Sequence, residues 1–301
     1  MFQMLIGTDF PFMKYRRFAY VFSTVLMLAT VVGLVVKGPR YSVDFTGGTL
    51  LHIRTSQPVA ADRLRAALDS AHLPAELQQL TGSASNEFLL RFKAQGDAVA
   101  TVTNAIETHI PGTKVELMRH ETVGPKVGGD LRQKAIWSIL ASLGAILLYV
   151  GIRYEFKFAF GGIAALFHDV LVTVGFLMLT GREISLTVVA ALLTIAGYSI
   201  NDTIVVFDRI RERAKQLRKE KHSRVMDIAI NETLSRTIIT AFTVFLAALA
   251  LFVWGGEVLR DFSFAMLIGV VFGTYSSVYV ASGLALDIWI ALDRRKGIAA
   301  E

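Results

Sequence analysis

The sequence predicts an α-helical integral membrane protein: six transmembrane helices and one α+β, ferredoxin-like domain inserted after the first. Three observations predict it. The 301 residues are 53% hydrophobic and only 19% charged, whereas soluble domains run at about 45–50% and about 25%. Six apolar runs, 18–36, 135–152, 158–179, 185–207, 237–254 and 262–286, are each long enough to cross roughly 30 Å of hydrocarbon as a helix. Those runs hold two of the 56 Asp, Glu, Lys and Arg residues in the chain, Asp169 and Asp202. Finally, Lys and Arg fall on one side. With the N-terminus cytoplasmic, the segments on that side hold 17 of them, against Arg182 and Arg260 in the opposite short loops, the asymmetry that orients membrane helices.

Composition also excludes classes. Disorder needs low hydrophobicity and dense charge. The chain has no cysteine, which removes disulfides, thiolate metal sites, iron–sulfur clusters and cysteine nucleophiles. A net charge of +6 is mostly the positive-inside bias, not a mark of acidic ligands. No Walker A, GxSxG or dinucleotide fingerprint is present, so nothing suggests ATP hydrolysis or acyl transfer. The chain reads as a non-enzyme.

The elements follow in order. Residues 1–17 form a basic cytoplasmic N-terminus. Run 18–36 is too long for a signal h-region and ends in Lys37-Gly38-Pro39-Arg40 with no small-x-small site, so it reads as an anchor. Segment 37–134 lies across the membrane as a domain and linker. Within it, 41–55, 76–81, 87–93 and 114–123 read as strands, with helices over 59–73 and 97–110 and a turn over Gly82-Ser83-Ala84-Ser85-Asn86. The order β-α-β-β-α-β is the split-βαβ arrangement. The spans at 135–152, 158–179 and 185–207 come next, then a basic cytoplasmic loop over 208–236. The spans at 237–254 and 262–286 follow, and 287–301 is a cytoplasmic C-terminus.

An ionisable group inside a bilayer is costly and therefore a functional candidate. Asp202 lies within Tyr198-Ser199-Ile200-Asn201-Asp202, about five residues or ~7–8 Å inside the end of its span. Arg236 stands at the same edge, so an Asp202–Arg236 ion pair is geometrically natural, with the aspartate as the titrating member. A static packing pair is the competing reading. His168 and Asp169 point about 100° apart on their helix and do not make one bidentate site. They read as a polar wall beside Asp202, with Asn201 and Tyr198 in support, rather than as a metal centre, which would need more ligands at membrane depth. Gly269-x-x-x-Gly273 and the hydroxyls Thr274, Ser276 and Ser277 read as helix packing, with water-lining hydroxyls near a proton route as the weaker alternative. Asp44-Phe45-Thr46-Gly47-Gly48 reads as a tight turn at the start of the inserted domain. The bases of 208–236 suit anionic headgroups; they lack interleaved aromatics, and nucleic acid is not an expected partner.

Five runs together resemble the SecD/SecF family of protein-export membrane proteins, on its SecF side: Val43–Gly48, Val123–Gly128, Phe167-His168-Asp169, Gly197–Glu212 and Asn231–Thr237. The likeness spans nearly the whole chain, and the long run in the fourth span is its most specific part. The resemblance implies half of an RND-type transporter, completed by SecD. It further implies association with SecYEG, and commonly YajC and YidC, in a bacterial inner membrane with both termini cytoplasmic and 37–134 periplasmic. It implies use of the proton gradient to draw unfolded preproteins out on the periplasmic side, with no bound cofactor; sodium in place of the proton stays open. Asp202 and Arg236 match the charged pair that the family needs for this work. The alternatives are a static scaffold for SecD and the translocon and, less favoured without a twelve-span duplication, half of a small-molecule proton antiporter.

Overall fold

The structure, a computed structural model, describes residues 8–73, 75–80, 86–92 and 98–295. It divides into two compact units, Tyr41–Ile136 and the remainder. The chain enters through a 3-10 turn, Phe12–Tyr15, and helix α1, Arg16–Val36. The smaller unit then runs α2 (Val43–Thr46), β1 (Gly48–Thr55), α3 (Ala61–Ser70), β2 (Glu76–Gln79), β3 (Glu87–Phe92), α4 (Ala98–His109) and β4 (Val115–Val123). The sheet order is β2-β3-β1-β4 with every neighbour antiparallel, the ferredoxin-like topology. Leu51 and Ile53 alternate inward from β1 to meet Leu64 and Leu68 of α3, Phe88 and Leu90 of β3, and Val102 and Ile106 of α4.

One expectation changes in this unit. Residues 41–46 are not strand: Ser42 caps a single helical turn by accepting a hydrogen bond from the Asp44 amide at 3.2 Å. The turn ends at Gly47 and Gly48, with φ of +69° and +120°, values that favour glycine. A Cβ on Gly47 would lie 2.8 Å from Pro125 Cα, and one on Gly128 2.9 Å from Gly47 N. The runs 43–48 and 123–128 therefore pack backbone to backbone. The turn expected at Gly82–Asn86 lies outside the described residues except for Asn86, and the helix start expected at Asp97 also lies outside them.

Five more helices and a terminal one follow: α5 (Pro125–Arg153), α6 (Phe156–Leu179), α7 (Leu186–Gln216), α8 (His222–Trp254), α9 (Gly256–Ser276) and α10 (Ser282–Arg295). Among the described residues, six segments are long and apolar enough to cross a membrane. Several helices outrun their apolar cores. The one holding 135–152 begins at Pro125, where proline suits the first helical turn, and α7 and α8 extend through most of 208–236. Hydropathy marks hydrocarbon, not the ends of hydrogen-bonded helix. The last run, 262–286, is not one α-helix either: a π-helical turn at Ser277–Ala281 separates α9 from α10.

Helix α9 packs against α6, α7 and α8, while α1 lies on α6. Gly269 and Gly273 make the α7 contact close: a Cβ on Gly269 would fall 2.4 Å from Ile195 Cδ1, and one on Gly273 3.3 Å from Ser199 Cβ.

Candidate functional site

Two buried carboxylates organise the polar interior of the helical unit, one on α6 and one on α7. Asp169 has no solvent exposure. Its Oδ2 accepts hydrogen bonds from Ser199 Oγ of α7 at 2.5 Å and Ser276 Oγ of α9 at 2.7 Å. Its Oδ1 lies 2.9 Å from His168 Nδ1. His168 and Asp169 therefore touch each other across their 100° offset, because both side chains are folded into the same seam. His168 Nε2 is buried with no hydrogen-bond partner, and the ring lies between Phe272 and Tyr275, 6.4 and 6.0 Å from their centroids. A second tier of hydroxyls, Thr203 and Ser277, bridges α7 to the π-helical turn at 2.8 Å. Such turns occur frequently at functional sites.

Asp202, three residues after Ser199 on α7, meets α8. Its Oδ1 accepts a hydrogen bond from Thr237 Oγ1 at 2.8 Å, and its Oδ2 is buried without a hydrogen-bond partner. The Asp202–Arg236 ion pair expected from spacing is not formed. Successive residues on a helix point about 100° apart, so presenting Thr237 to α7 turns the neighbouring Arg236 outward. Arg236 is exposed, close enough to act on Asp202 by charge but not bonded to it. Tyr198, one turn before Asp202, holds its buried hydroxyl near Thr240 and Thr274 without hydrogen-bond geometry to either. Asn201 is exposed and stands off the wall it was expected to join. Asp44, Gly47 and Gly48 belong to the other unit and form the corner described above.

The seam continues beyond Asp202. Glu232 of α8 accepts from Arg209 Nε at 2.6 Å and from Arg213 Nε and Nη2 at 2.8 and 2.6 Å, so two arginines of α7 clasp one carboxylate of α8. Asn231 fixes the entering chain, donating to Phe10 O at 2.9 Å and accepting from Phe10 N at 3.1 Å. Asp227 accepts from Met13 N at 2.8 Å. The run Asn231–Thr237 thus divides its work: Asn231 holds the N-terminal segment, Glu232 the far end of α7, and Thr237 the buried carboxylate.

Thr237 and Ser199 are the site residues that sequence reasoning missed, and Ser276, read as helix packing, bonds the Asp169 carboxylate. A hydroxyl in an apolar helix commonly bonds its own preceding turn, so composition does not mark those that cross to a carboxylate.

Known proteins match this chain. Residues 102–290 match the family described as "Protein export membrane protein SecD/SecF, C-terminal", and residues 32–59 match the "SecD/SecF GG Motif", which includes the Gly47-Gly48 corner. The chain belongs to the SecD/SecF family. It is 42% identical to the protein translocase subunit SecF of Rhodothermus marinus, with 97% of each chain covered. It is also 42% identical to the protein of the same name from Vibrio alginolyticus, over 96% of this chain and 93% of that one. Among solved structures it is similar to SecDF, a translocon-associated membrane protein, from Thermus thermophilus. The TM-score is 0.86 at 39% identity, with 95% of this chain covered and 39% of that one. The chain thus spans about two fifths of the length of that SecDF polypeptide. As a family member with six membrane-length helices, it is a multi-pass membrane protein of the protein-transport class.

Proposed function

We propose that this chain is the SecF-side half of an accessory unit of the Sec machinery, completed by a SecD half, and that proton binding at Asp202 drives its work on preproteins. The observation that carries this reading is the Asp202 carboxylate, buried in the α7–α8 seam with one oxygen bonded to Thr237 and the other without a partner. An ionised carboxylate at this depth is costly, and a proton removes that cost. Protonation also turns the carboxyl from an acceptor into a donor, and Thr237, whose hydroxyl can do either, can reverse its role. Arg236 enters as a fixed positive charge nearby. Loosening or reversing the Asp202–Thr237 contact would shift α8 against α7, and the shift would reach the 37–134 domain through the helices that flank it. The 17 to two distribution of Lys and Arg supports cytoplasmic termini and a periplasmic domain in a bacterial inner membrane. SecYEG, with YajC and YidC, is the expected surrounding assembly, and the coupling ion is a proton, with sodium as the alternative.

The test is gradient-dependent export in vesicles carrying the assembled complex. Asp202→Asn should remove the dependence on the proton gradient while SecD still co-purifies. Unchanged gradient-dependent export would sink the proposal and favour a static scaffold. Arg236→Met should weaken the dependence without lowering thermal stability, since its side chain bonds no described residue.

A further inference from the structure

On the outer side of the helical unit, α1 and α6 leave a groove of about 440 Å³ lined by Leu26, Ala29, Val32, Gly33, Gly175 and Leu179 among others, with Lys37 at its end. The helices approach closely at its floor: a Cβ on Gly175 would fall 2.0 Å from Thr30 Oγ1. The walls are exposed aliphatics, Val32 at 59%, Val36 at 74% and Leu179 at 79%. From Leu26 to Val36 the groove follows α1 for ~15 Å, the depth of one leaflet of a roughly 30 Å hydrocarbon core. Lys37, the first charge after the apolar run, therefore stands at headgroup level. Arg40 reaches the same end of α6, its Nη1 3.8 Å from where a Cβ of Gly181 would lie. Both side chains are exposed, and neither makes an ion pair among the described residues.

We propose that this groove is a binding site for a phospholipid with an anionic headgroup, one acyl chain lying between α1 and α6 and the phosphate meeting Lys37 and Arg40. A slot of one-leaflet depth here opens onto two exposed cations that make no ion pair among the described residues. A partner helix would bury Lys37 against apolar surface, whereas a headgroup satisfies it. The same residues make the site selective for charge, which generic lipid contact on the other exposed faces would not be.

Photoreactive phosphatidylglycerol and phosphatidylcholine, each with the reactive group mid-chain, test this with the full chain in nanodiscs and adducts mapped by mass spectrometry. Adducts on 26–36 and 172–179 should favour the acidic lipid by at least about fivefold, the ratio expected for one basic side chain at an anionic surface. The exposed α8 face around Phe242 and Leu246 should show no preference. Lys37→Gln with Arg40→Gln should bring the groove's preference to unity. Gly33→Leu, whose Cβ would have only an ordinary 3.7 Å contact with Met178, should reduce groove adducts for both lipids and spare the α8 face; Ala29→Leu serves if that variant does not fold. Equal labelling by the two lipids overturns the proposal, as does a groove that labels no more than the control face. Absence of groove adducts, the mark of a protein helix covering it, overturns it too.

Discussion

Thr237 donates its hydroxyl to Asp202 across the α7–α8 seam at 2.8 Å; Arg236, one residue earlier, faces outward. A single step along α8 thus separates the group that satisfies the buried carboxylate from the group that merely charges its surroundings.

Thr237→Val keeps the shape and removes the donor, leaving both Asp202 oxygens without a partner. A buried polar group stripped of its hydrogen bond costs about 1–3 kcal/mol. The variant should melt at lower temperature in detergent and lose part of its gradient-dependent export, and Thr237→Ser should retain both. A valine variant as stable and active as the parent would contradict the assignment.

The close approach of α6 to the π-helical turn predicts a sharp difference between two glycines. A Cβ on Gly161 would fall 2.4 Å from Ala281 O, whereas one on Gly144 meets nothing within 4 Å. Gly161→Ala should destabilise by about 1–3 kcal/mol, the usual range for overpacking, and raise hydrogen exchange over 277–282. Gly144→Ala should be neutral or slightly stabilising. Equal effects would mean that the turn yields freely.

Gly47 and Gly38 share a positive φ, +69° and +67°, but only Gly47 faces a neighbour, Pro125 Cα at 2.8 Å from its would-be Cβ. Alanine at either site should cost about 1–3 kcal/mol of strain at positive φ. At Gly47 the contact adds to that strain, and exchange protection of β1 and β4 in the full chain should drop. If the two variants behave alike, the corner is held by backbone preference alone.

The clasp between Asp9 and Arg224, at 2.5 and 3.0 Å, gives a pH dependence. The Arg224 hydrogen bond holds the Asp9 carboxyl below its ordinary value. A lowered folded-state pKa means that the contribution is present above the unfolded carboxylate value of about 3.9 and is lost as pH falls through the folded one. Protection of residues 8–15 from exchange should therefore be flat near neutrality and fall in acid, and Asp9→Asn should remove that acid limb. Because the pair is exposed, the change should be small.

The spans were legible because removing charge from some 20 residues is a pattern few other structures produce, and the split-βαβ order was legible from alternation and turns. Helix ends were not, since the polar stretches beyond Phe207 and before Thr237 keep helical hydrogen bonding without apolarity. Asp202 announced itself as a charge in hydrocarbon. Its partner did not, because spacing locates the edge of the next span but not the rotation of that helix, and rotation decides between Arg236 and Thr237. The contact between His168 and Asp169 was not legible either: an angular offset at the backbone argues against a shared bidentate site but does not prevent two side chains from folding together. The one-turn helix at Val43–Thr46 was hidden by residues that suit a strand, and the Ser42 cap and the Gly47 conformation override them.

Helix α7 is continuous for 31 residues, and Asp202 lies near its middle. Some 14 residues, or ~21 Å, separate that carboxylate from the end at Gln216. In the proposed mechanism such a rod would work as a lever whose fulcrum is the buried seam: a tilt of about 5° there would sweep its far end by ~2 Å. Glu232, gripping Arg209 and Arg213, yokes α8 to that arm, so the two helix ends travel together and the short link between them is carried without being stretched.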